Sequence, residues 1–126
     1  MVYAIVWNSK GAITRFTGKV GIEEINQANN EHYGDARYDE IKYQLFDFTE
    51  ADLSSIAADD AKYPAAYDKA ATIYKFYLRV AMVVADDYTQ ALCEEYIKLS
   101  QRYNSGWEFG VFSTLKEALT WCNATD

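Results

Sequence analysis

The chain has 126 residues, a formal net charge of −7 and an apolar half that includes 11 Tyr. That length makes a single domain, 1–126, able to bury its own core, and the apolar content excludes a disordered chain. The acidic balance, with Lys and Arg scattered, argues against nucleic acid and anionic membrane, which are bound through clustered basic groups.

In chain order, the opening "MVYAIVWNSKG" is apolar over 2–7 and has no basic leader, so it predicts a strand and not a secretory signal. With "AITRFTG" (12–18) it brackets "NSKG", a polar turn ending in Gly11, and the pair reads as a hairpin. "GIEEINQANNEHYG" (21–34) predicts a helix. Ile22, Ile25, Ala28 and His32 recur at helical spacing, Glu23 and Glu24 stand in the first turn, and Gly34 supplies a stop.

"IKYQLFDF" (41–48) and "LRVAMVVA" (78–85) predict strands. The second is apolar on both faces apart from Arg79, as in a central strand covered on two sides. Between them lies a helix of roughly 60–75, whose start near Asp60 is set by Pro64, tolerable only within a first turn. Tyr67, Ala70, Ala71 and Tyr74 give it an inward stripe. A helix at 87–102 and a strand at 107–112 follow, and Thr114 with Glu117 forms a capping box that opens a last helix. No apolar run approaches the ~20 residues that cross a bilayer. The order ββαβαβαβα implies an α/β domain with a mostly parallel sheet and the first strand antiparallel at an edge.

This element order, with "YQLFDFT" at the third strand, "LRVAMVV" at the fourth and "FGVFSTLKEALTWC" at the end, resembles the SpoIIAA-like (STAS-type) proteins. The resemblance runs over about 2–122 and is nearest to their small stand-alone bacterial branch, to which "ANNEHYGDARYD" (28–39) is also similar. It implies the SpoIIAA-like (STAS) fold, β-β-α-β-α-β-α-β-α, with a five-stranded mixed sheet and four helices. It further implies a domain without catalysis of its own. Anti-sigma-factor antagonists of this kind bind a partner kinase and are switched by phosphorylation of a Ser after the third strand, in an Asp-Ser-Ser-Gly motif. Asp52-Leu53-Ser54-Ser55-Ile56 occupies that region, which makes Ser54 and Ser55 the candidate phosphoacceptors. Here the Asp does not immediately precede the Ser pair, and no Gly follows it.

Other polar residues fall at strand ends: Asp47 and Thr49 after the third, Asp86 and Asp87 after the fourth, Ser113 and Thr114 after the fifth. Ligands of open parallel sheets bind outside these carboxyl ends. Asp47, Asp86 and Asp87 together would suit Mg²⁺. Alternatively, Asp86 and Asp87 cap a helix start and Asp47 accepts from the N–H groups of a following loop. No GxSxG, HExxH, P-loop or GxGxxG occurs, and the single His32 reads as a packed or surface residue, so no catalytic residue, metal or cofactor is expected. Cys93 and Cys122, far apart and on apolar helix faces, read as buried free thiols in a reducing cytoplasm.

Tyr63, Tyr67, Tyr74, Phe76 and Tyr77 crowd one helix and its exit, as core, as an interface or as the wall of an apolar pocket. The fold is also similar to that of lipid-carrying CRAL-TRIO domains. The expectation is a non-enzymatic regulatory domain that binds a protein partner and forms a homodimer through the Tyr63–Tyr77 region. A carrier or sensor of a small apolar, lipid-like ligand under the second helix is the alternative, and a Mg²⁺-dependent phosphoryl-transfer protein the third reading.

Overall fold

Strand β1 (Tyr3–Trp7) folds back onto β2 (Gly11–Lys19) through a turn held by Asn8, whose Oδ1 accepts from the N–H groups of Lys10 (2.8 Å) and Gly11 (2.9 Å). Gly11 is required on packing grounds, because a Cβ there would stand 2.4 Å from the Tyr43 ring. The computed structural model describes residues 2–71, 75, 77–102 and 106–124, through the backbone alone at 67–71. In it the chain continues as α1 (Ile22–Tyr33), a 3-10 turn (Ala36–Glu40), β3 (Tyr43–Asp52) and a second 3-10 turn (Ala58–Ala61). Then come α2 (Lys62–Ala71), β4 (Arg79–Val83), α3 (Asp87–Gln101), β5 (Glu108–Phe112) and α4 (Leu115–Cys122).

The sheet order is β1-β2-β3-β4-β5, antiparallel between β1 and β2 and parallel elsewhere. Each crossover advances one strand in the same direction, which places α1, α2 and α3 on one face, as connections of a single hand require. Strand alternation separates two cores. Phe46, Phe48, Val80 and Met82 face the three crossover helices, packing with Ala28, Leu92 and Cys93. Tyr43, Leu45, Ala81 and Val83 face the other way, against Ala118 and Cys122 of α4. Arg79 fastens that helix. Its buried Nη1 donates to the carbonyls of Trp121 (2.8 Å) and Ala124 (2.5 Å), at and just past the end of that helix.

A buried polar link ties α1 to the sheet. His32 is fully buried, and with Gln44 Nε2 donating to its Nδ1 (2.8 Å), its Nε2–H donates to Thr14 Oγ1 (2.8 Å). Burial holds its pKa down at about 4, partly opposed by Asp35, so the ring is neutral at pH 7. Both thiols are buried, which pushes Cys93 and Cys122 up to about 12 and makes them inert packing groups.

The third strand is longer than the 41–48 predicted. Thr17, Gly18 and Lys19 of β2 pair with Glu50, Ala51 and Asp52, and the register slips between Arg15 and Thr17, where β3 carries an extra residue. "FDFTEAD" is therefore paired strand, and the loop begins only at Leu53. The bulge explains Asp47, which is interior to the strand instead of at its end. Its carboxylate accepts from the backbone N–H (3.0 Å) and the hydroxyl (2.7 Å) of Thr49.

Strand β4 is buried at every position and hydrogen-bonded on both sides. Its amides should exchange with solvent more slowly than any others, since they open only with global unfolding. Fast exchange across 80–83 would contradict this topology.

Candidate functional site

The crossover helices do not close completely on the sheet. A partly open apolar cavity of about 70 Å³ lies between them. Its floor is β3 and β4, where the rings of Phe46 and Phe48 lie nearly parallel (11° between planes, centroids 6.4 Å apart) beside Met82. Helix α1 contributes Ile22, Ile25 and Asn29, spaced three and four residues apart and so on one face. Helix α3 contributes Leu92, Cys93 and Tyr96, and the entry to α2 contributes Ala61 and Pro64. These last are small or ring-closed side chains.

The turn after β3 forms the remaining wall. Leu53 and Ile56 are buried and line the cavity, while Ser54 and Ser55 between them are exposed. Ile56 N–H donates to the Leu53 carbonyl (2.9 Å), and Tyr88 of α3 donates its hydroxyl to the Ile56 carbonyl. Ser54 N–H donates to Asp52 Oδ1 (2.9 Å), and hydrogen bonds from Ser54 hold the Asp52 carboxyl below its usual range. Lys19, opposite Asp52 across the sheet, adds a smaller effect in the same direction and brings to this turn a basic group remote in sequence.

The strand-end carboxylates do not assemble. Asp47 is 3% exposed and on the face away from the cavity, engaged by Thr49 and by Arg15 Nε at 3.5 Å. Asp86 caps α3, accepting from Thr89 N–H (2.8 Å) and Oγ1 (3.0 Å), whereas Asp87 and Thr49 are exposed. Thr114 likewise caps α4. Among the described residues no three His, Cys, Asp or Glu stand close enough to hold a metal ion. Of the aromatic group, Tyr63 and Tyr77 are exposed; Tyr74, Phe76 and the side chain of Tyr67 lie outside the described residues. Asn29 was not singled out by its sequence position. The available signal was its spacing of four from Ile25, which turns a polar side chain inward.

Asp47→Ala should cost about 1 kcal/mol, the net value of a hydrogen bond, because the bulge N–H of Thr49 is left without its acceptor. Ser54→Ala and Ser55→Ala should each leave the urea midpoint nearly unchanged. Urea denaturation of the three variants checks both statements, and a midpoint for Asp47→Ala equal to that of wild type would contradict the first.

Three crossover helices on one face of a mixed five-stranded sheet, with a fourth helix behind, define an α/β domain of the SpoIIAA-like class. Among solved structures the chain is similar to the crystal structure of an uncharacterised protein from the DUF3478 family with a SpoIIAA-like fold, from Shewanella loihica PV-4. The TM-score is 0.54 at 18% identity, over 95% of this chain and 91% of that one. At that identity the likeness establishes the fold alone. No family model and no curated protein matches the chain. Among the described residues no helix is long and apolar enough to cross a membrane.

Proposed function

We propose that this chain is a non-enzymatic regulatory domain that holds a small apolar molecule in the cavity and presents the result to a protein partner. One observation carries the reading: the turn that buries Leu53 and Ile56 in the cavity wall displays Ser54 and Ser55 on the surface. Occupancy and surface are thereby mechanically joined, since the wall residues and the exposed residues are adjacent in the chain. A ligand that packs on Leu53 and Ile56 stabilises one arrangement of the turn, and a partner reading the turn senses the ligand.

A second reading, phosphorylation of Ser54 or Ser55, draws on the same turn. The nearby Glu50 and Asp52 oppose a phosphate of about −2 charge, and Lys19 is the compensating group the structure adds. The exposed rings of Tyr63 and Tyr77 are offered as part of a partner surface, a second copy of the chain included.

Hydrogen exchange with and without toluene tests the proposal. Toluene should slow the amides of Leu53–Ile56 in wild type and leave them unchanged in Ala61→Leu, which fills the cavity. Exchange indifferent to toluene in wild type would remove the ligand reading.

A further inference from the structure

Among the described residues the cavity lining carries one amide, Asn29, besides the Tyr96 phenol and the Cys93 thiol. Asn29 is 4% exposed. A carboxamide carries two N–H donors and a carbonyl acceptor, and a buried polar group is ordinarily paired. The lining it shares includes Ile25, Phe46, Met82 and Leu92, which offer an amide no partner, and Tyr96, which carries a hydroxyl.

Resting on the ligand reading above, we infer that Asn29 is the polar anchor of the site, and that the ligand is a small neutral molecule with an apolar body and one hydrogen-bonding group. Neutrality follows from the lining. None of its described residues is charged, so an ionised carboxylate or ammonium would give up its hydration with no counter-charge to replace it. The single group follows from Asn29 being the one amide among the described lining residues, which are otherwise apolar apart from the Tyr96 phenol and the Cys93 thiol. Because the amide both donates and accepts, it pairs with a hydroxyl, a carbonyl or an uncharged carboxyl. The flat body is matched by the parallel rings of Phe46 and Phe48. The volume is less than half that of a cavity that takes up benzene, so the enclosed part is a short chain or the edge of a ring, the remainder leaving through the open side. Asn29 thus selects among apolar molecules instead of supplying their general affinity.

Amide-resolved NMR titration of the full chain with toluene, benzyl alcohol and benzoate at pH 8 tests this. Asn29→Leu should weaken benzyl alcohol about three- to tenfold, the worth of one neutral hydrogen bond, and leave toluene within about twofold. Benzoate should bind at least about tenfold more weakly than benzyl alcohol to wild type. Should Asn29→Leu not fold, Asn29→Ala is judged by the same alcohol-to-toluene ratio. A ratio unchanged by either variant, or benzoate binding as tightly as the alcohol, overturns the anchor and leaves the cavity reading standing. No response of the cavity amides to toluene in wild type defeats that reading, and the anchor with it.

Discussion

Val83→Asp should unfold the protein at ambient temperature. Val83 is fully buried in the core between the sheet and α4, and its neighbours there are Leu45, Ala81, Ala118 and Cys122. A carboxylate at this point would lie beside Asp47, its register partner on β3, so the nearest ionisable group carries the same sign. Among the described residues the basic group paired with Asp47 is Arg15, which is largely exposed and 3.5 Å from it. Burying a charge without a partner is among the few single changes that cost about 4–5 kcal/mol, close to the whole stability of many domains. Circular dichroism of the purified variant decides it. A native spectrum with an unchanged melting temperature would mean that residue 83 is not interior to the sheet.

The second large effect is acid destabilisation through His32. Its folded pKa of about 4 lies below the ordinary 6.5, so between those values the unfolded chain binds the proton that the folded chain refuses. Stability is therefore fully present above pH 6.5 and is lost as pH falls toward 4. The difference corresponds to roughly 3 kcal/mol. The link itself explains the direction. Thr14 and Gln44 satisfy a neutral ring, and the Trp7 edge and the Phe46 ring enclose it at 5.7 and 5.6 Å, so an imidazolium would have no hydration. Asp35, held down at about 2 chiefly by its hydrogen bonds from Arg37, adds its own loss only below pH 3.8. Urea denaturation from pH 7 to pH 4.5 should show the midpoint falling, and His32→Gln, weaker throughout, should lack that slope. A flat wild-type midpoint would contradict the buried neutral imidazole.

What was legible in the sequence was local. Thr114 and Glu117 announce α4, Pro64 places the start of α2, and the unbroken apolar run at 80–85 announces an interior strand, each through chemistry confined to a few residues. The reach of β3 to Asp52 was not legible, because Glu50 and Asp52 are poor strand residues. Pairing with the tail of β2 across the bulge overrides that preference. His32 was legible only as packed or exposed. Its partners lie 18 and 12 residues away, on strands where an inward Thr or Gln looks like an ordinary break in alternation.

The cavity is the least legible feature of all. It is a space left where Ala61 and Pro64 meet Cys93, some thirty residues on in the chain, and two phenyl rings. Composition and periodicity report the side chains that are present, and a void is set by how elements come together. The same holds for the separation of the carboxylates. Asp47 pairs with Val83 inside the sheet, whereas Asp86 lies beyond the end of β4. A bulge turns one toward Thr49, and a helix start commits the other to Thr89.

The central claim is that the space under α2 is occupied in the working protein. Solvent extraction of protein purified from its native cells, followed by mass spectrometry of the extract, tests that claim most directly. Wild type should release a small, neutral, mainly apolar molecule in near-stoichiometric amount, and Ala61→Leu prepared in parallel should release little or none. Extracts alike for the two proteins, or a wild-type extract empty of any such molecule, would contradict the account.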